Sequence, residues 1–151
     1  MKYVIPMFGM ILLMCNLSLK AETVSNEFIE TSVIGKHDFT LQWLDNFNTG
    51  QRGEIEFIRS GNEILAKGYQ AERNGDELNF MKFTGNVLVF TERELRIKGN
   101  LMTRVSHINE GKALYRTGIF IFKVQGNRQY WRLQNQAEYE VMDYVDIHFK
   151  K

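Results

Sequence analysis

Between residues 38 and 149 apolar and polar side chains alternate with period two, and turn signals break the pattern. The breaks fall about every 8–12 residues, the spacing of an all-β chain. A period of two belongs to half-buried strands, because successive side chains on a strand point to opposite faces. Residues 38–44 set Phe39, Leu41 and Trp43 against Asp38, Thr40 and Gln42, and residues 53–59 set Ile55 and Phe57 against Glu54 and Glu56. Between them the polar, glycine-bearing stretch 46–53 reads as a loop. Gly61-Asn62 then turns the chain into residues 64–72, in a register that places Phe57 opposite Ala66, Ile55 opposite Gly68 and Glu56 opposite Lys67. At Asn74-Gly75 a two-residue loop pairs Glu72 with Glu77, whereas a three-residue loop pairs Arg73 with Glu77. Residues 77–83, 87–91 and 95–106 continue the alternation, punctuated by Gly85-Asn86 and by 92–94. In the last of these Leu95, Ile97, Leu101, Thr103 and Val105 share one face, and Gly99 among them marks a bulge or bend.

The most legible hairpin is 118–134, GIFIFKVQGNRQYWRLQ, with Gly126-Asn127 as its turn. That turn predicts Phe122 opposite Trp131 and Phe120 opposite Leu133, so that Phe120, Phe122, Val124, Trp131 and Leu133 form a buried face. After a turn at 109–112 before this hairpin and a loop at 135–138 after it, residues 141–149 give a final strand. Val141, Val145, Ile147 and Phe149 point inward there, and Met142, Tyr144, Asp146 and His148 outward. Residues 22–36 have no decisive period, and no helix is predicted. The expected fold is therefore all-β: an antiparallel β-sandwich or a small closed β-barrel of about eight to nine strands.

Composition adds a destination. The chain of 151 residues is the size of one domain. Lys2 followed by the apolar run 4–19 reads as a signal peptide, 1–21, with cleavage after Ala21. The run is short of the ~20 residues a spanning helix needs, so the processed chain is not expected to be an integral membrane protein. Cys15 follows Leu12-Leu13-Met14, but the large Met14 sits where a lipoprotein signal wants a small residue, which argues against lipidation. The remaining single all-β domain, 22–151, has neither cysteine nor proline and must stand on its own core. Without Lys2 and Lys20, 17 of the 19 basic residues face 18 acidic ones, a net charge of −1. No nucleic-acid partner is expected at that balance.

Candidate chemistry is thin. Asp146 and His148 lie two apart on one strand face, yet no histidine or cysteine spacing supports a metal site. Glu54 and Glu56 share a face, but Glu56 has Lys67 as a partner. No nucleophile motif is present, and Ser106-His107 adjacency is not a triad. The expectation is no enzyme, no catalytic residue and no cofactor. What remains is a basic stripe: Arg96, Lys98 and Arg104 on the outward face of 95–106, with Lys123, Tyr130 and Arg132 on the outer face of the hairpin. If neighbours, these six would make a cationic surface with an aromatic flank, suited to acidic glycans, lipid headgroups or an acidic protein partner.

Through KHDFTLQW (36–43), RQYWRLQ (128–134) and DYVDIHF (143–149), the chain resembles an uncharacterised family of small exported bacterial β-proteins. The resemblance implies export and fold, and no catalytic residue or cofactor. Relatives of that kind carry cysteines near the Leu114 position and in the loop before Val141; this chain has neither. The expected role is a periplasmic or secreted binding protein recognising a protein or an envelope glycan or lipid. A calycin-like carrier with an internal pocket and an inhibitor of a host hydrolase are the alternatives.

Overall fold

The computed structural model describes residues 26–44, 52–135, 137–138 and 141–150. The expected signal peptide 1–21, Cys15, the cleavage point after Ala21 and most of the 46–53 loop lie outside the described residues. Of the two expected architectures the closed barrel is the one formed. Its eight antiparallel strands are β1 (Gly35–Leu41), β2 (Gly53–Ser60), β3 (Glu63–Asn74), β4 (Glu77–Phe90), β5 (Glu94–Arg104), β6 (Leu114–Lys123), β7 (Tyr130–Leu133) and β10 (Val145–His148). They run in the order β1-β10-β7-β6-β5-β4-β3-β2, and β2 pairs with β1 to close the ring. β8 (Ala137–Glu138) and β9 (Val141–Met142) make a separate small hairpin.

Eight strands leave an interior that side chains can fill. Inward residues from all eight strands meet in one buried cluster. Phe83 lies at its middle, with ring centroids 5.2 Å from Phe120, 6.0 Å from Phe122 and 6.3 Å from Phe39. Large meets small as the pairing predicts: Ile55 stands opposite Gly68 and Phe57 opposite Ala66. The Phe39 ring fills the space above Gly68, where a β-carbon would come within 2.8 Å of it.

Over four neighbouring strands one row is nearly free of inward side chains. Cross-strand register aligns Ala66, Gly85, Gly99 and Gly118 on β3 to β6. A β-carbon on Gly99 would lie 2.1 Å from the Thr84 carbonyl oxygen and 2.7 Å from the Gly85 α-carbon, so these strands curl past each other at a distance only glycine permits. Gly85-Asn86 is accordingly not a turn, contrary to expectation. β4 is one continuous strand, irregular only between Val87 and Val89.

Four other expectations are corrected. The loop after Asn74 is Gly75-Asp76, with Asn74 opposite Glu77 and Glu72 opposite Asn79. In the 118–134 hairpin Arg128 N–H still donates to the Gln125 carbonyl across Gly126-Asn127, but the ladder is offset by two residues, so Phe122 faces Leu133. An offset of two keeps every side chain on its predicted face. The last strand is interrupted at Asp143-Tyr144 into β9 and β10, and part of the 135–138 loop is β8. Finally, residues 26–33 form a short helical cap, with Asn26–Phe28 α-helical and Ile29–Val33 a wider turn closed by Ile34 N–H to Ile29 O at 2.9 Å. Ile29 and Val33 are buried under it at one end of the barrel. His37 binds the cap to the wall: its ring nitrogens lie 2.8 Å from the carbonyl oxygens of Val33 and of His148.

The barrel has a narrow seam. β6 and β7 share only the pairs Phe122–Leu133 and Lys123–Arg132. Gln134 N–H extends the contact to the Ile121 carbonyl, and Asn135 then imitates a strand with its side chain, accepting from Ile121 N–H and donating to Ile119 O, both at 3.1 Å.

Candidate binding surface

The stripe expected on the outer face separates into three parts. The first is a belt across four strands, in which register places Glu94 beside Lys123, Lys123 beside Arg132, and Arg132 beside Asp146. Lys123 and Arg132 are like charges directly opposite each other, a destabilising arrangement when left alone. Here an acid flanks each. Glu94 binds Lys123 at 3.2 Å and also takes Arg96, while Asp146 receives both arms of Arg132 at 2.7 Å. The Arg96 hydrogen bond holds the Glu94 carboxyl below its usual range, with Lys123 adding to it against the opposing effect of burial. Arg132 also lies 5.1 Å from the Tyr130 ring centre and 4.7 Å from that of Tyr144. Tyr130 thus flanks the cation as expected, but the cation is already matched.

The second part is Arg104, half-buried, which donates to the Leu78 carbonyl and ties β5 to β4. The third is Lys98, exposed and without an ion pair among the described residues. Four of the six candidates, Arg96, Lys123, Tyr130 and Arg132, come together in the belt, and Lys98 and Arg104 stand apart. Beside Lys98 lies a groove of about 290 Å³, bordered by Lys67, Thr84, Asn86 and Asn100 as well. None of those four was singled out from the sequence as a site residue. The available signal was the glycine spacing that creates the groove.

Asp146 and His148 share the outer face but not a task. Asp146 is committed to Arg132, and His148 Nε2 lies 3.1 Å from Thr40 Oγ1. Burial lowers the His148 pKa, helped by Arg52, against the pull of Asp146 and Asp38. At the barrel end opposite the cap, Asp143 and Arg116, two side chains not singled out from the sequence, form a second polar group with Trp43 and His107. Asp143 is buried and accepts from Trp43 Nε1 at 3.1 Å; desolvation raises its pKa, opposed by that bond and by the charge of Arg116. Arg116, also buried, donates to the Asn135 carbonyl. Trp43 leans edge-on to His107, with ring centres 6.2 Å apart. These groups tie the loops of that end together.

Comparison with known proteins places the chain among uncharacterised relatives. The model of the PM1083 family matches residues 21–149. Uncharacterized protein PM1083 of Pasteurella multocida (strain Pm70) is 36% identical over 125 residues, covering 80% of this chain and 76% of the relative. No solved structure matches.

Proposed function

Starting from the fact that the chain belongs to the PM1083 family of uncharacterised proteins, we propose that it is an exported binding protein that works from the outside of its barrel. It recognises a protein or an envelope component through an exposed sheet face and carries out no reaction of its own. The observation that carries this reading is the interior: side chains from all eight strands pack into one buried cluster, which leaves the outer wall as the surface on offer. The same observation weighs against the carrier alternative, which needs an apolar cavity of ~300–1,000 Å³ inside the barrel. Support for export comes from Lys2 and the apolar run 4–19.

The reading has two testable halves. Expressed with its own leader, the protein is recovered outside the cytoplasm with Glu22 as its first residue, as N-terminal mass analysis would record. Immobilised, that form retains a component of the envelope fraction, and Lys98→Glu lowers retention while Arg96→Glu, whose charge Glu94 already matches, does so less. Full-length protein confined to the cytoplasm counts against export. Retention indifferent to every outer-face charge reversal counts against the surface.

A further inference from the structure

Where the barrel wall curls inward at Gly85 and Gly99, the outward side chains before and after each glycine must splay apart. The groove of about 290 Å³ is the result of that splay, and its lining consists of three consecutive residues from each of three neighbouring strands. Ala66, Gly85 and Gly99 supply a floor of peptide backbone. Register then builds the walls: Leu65, Asn86 and Lys98 along one side, and Lys67, Thr84 and Asn100 along the other. Each wall holds one lysine, on β5 in the first and on β3 in the second, so the two ammonium groups stand at diagonally opposite corners.

The polar groups between them are only partly used. Thr117 Oγ1 donates to Asn100 Oδ1 at 2.7 Å, which fixes that carboxamide and leaves its Nδ2 to donate elsewhere. Asn86 Nδ2 leans toward Glu63 at 3.5 Å, which leaves its Oδ1 to accept. The Thr84 hydroxyl does either. Glu56 lies across the ladder from Lys67, but among the described residues neither Lys67 nor Lys98 forms an ion pair. Two unmatched cations thus bracket one amide donor, one amide acceptor and one hydroxyl.

We propose that this groove binds an acidic saccharide, with Lys67 and Lys98 taking its carboxylate groups and Thr84, Asn86 and Asn100 its hydroxyls. The proposal rests on the outer-face reading above and names its ligand class. A peptide is disfavoured because β3, β4 and β5 are each paired on both sides, so no open strand edge is there to be extended, and Leu65 is the sole large apolar side chain in the lining.

The test is a titration of the ¹⁵N-labelled protein with digalacturonate, with lactose and a tetraglutamate peptide as comparison probes. The acidic disaccharide should shift the amides of Gly85, Asn86, Lys98, Gly99 and Asn100. Combining Lys67→Glu with Lys98→Glu should weaken binding about tenfold or more, the scale of losing two ionic contacts, with only a small drop in melting midpoint, because both lysines are exposed while a carboxylate opposite Glu56 adds one like-charge pair. Thr117→Val, which releases Asn100 without altering charge, should weaken it less. If the double reversal disturbs the fold, the two glutamine variants serve in its place and should still lose affinity. No shift in these amides at millimolar digalacturonate overturns the proposal, as does an equal response to lactose or a stronger one to tetraglutamate. Envelope retention that persists without any uronate response removes the groove and keeps the wider reading. A uronate response in a protein that is never exported keeps the groove and removes the wider reading.

Discussion

Gly99 has no room for a methyl group. The obstructing atoms are the Thr84 carbonyl oxygen and the Gly85 α-carbon, both backbone, so nothing can swing aside. Gly99→Ala is expected to cost about 3 kcal/mol, the upper range of overpacking. Gly61→Ala should cost only about 1 kcal/mol, because open space surrounds that turn and the penalty comes from its φ of 60° alone. Urea unfolding of the two variants checks the contrast, and equal losses would contradict the close approach at Gly99. Asp143 makes a second prediction at this scale. Its folded pKa is raised, so the folded state favours the neutral acid; that contribution is complete below the unfolded value and fades as pH rises through the folded one. Asp143→Asn keeps an oxygen for Trp43 Nε1 and never ionises. It should melt above the parent at pH 7, and the difference should close as the pH is lowered through the carboxyl range. A variant that melts lower at pH 7 would mean that attraction to Arg116 outweighs desolvation.

Among the elements, the cap is the one that packs without pairing. Ile29 and Val33 cover the barrel end from a segment too short to be stable as a free helix. Ile29→Ala should therefore cost about 2–3 kcal/mol, as a buried truncation does. A loss below about 0.5 kcal/mol in chemical unfolding would show the cap to be ornamental. That same shortness hid it in the sequence, since eight residues span barely two turns and no apolar period can establish itself. The hairpins were legible because each strand alternates on its own, and the inward set survives any register offset of two. Register was less so. At Gly126-Asn127 the local turn forms as predicted, but pairing of β7 is decided by β10 on its other side, where Trp131 meets Ile147. Gly85-Asn86 misled for a related reason: the dipeptide that makes a turn between strands also suits a bend within one. The charge belt was only half within reach: Lys123 meets Glu94 across consecutive strands, whereas Arg132 finds its acid on β10, beyond the separate β8–β9 hairpin.

At the scale of the whole molecule, the barrel is a meander with a late addition. β2 to β6 follow one another as neighbours in sequence order, whereas β1 meets β10 from the far end of the chain, as in the pair Phe39–Ile147. The seam between β6 and β7, two residue pairs and one borrowed asparagine side chain, is where that addition joins the meander. Its consequence is kinetic. Contacts between distant parts of a chain follow local ones, because loop closure must precede them. The transition state should then contain the meander and lack the seam. Ile97→Val, inside the meander, should slow refolding. Ile147→Val, beyond the seam, should leave refolding unchanged and hasten unfolding, each for a loss of about 1 kcal/mol. Stopped-flow measurements across a denaturant series separate the two, and equal slowing of refolding would place closure before the rate-limiting barrier. The lifetime of the folded barrel is thus governed at its narrowest junction, while the rate at which it assembles is set in the broad wall that carries the groove.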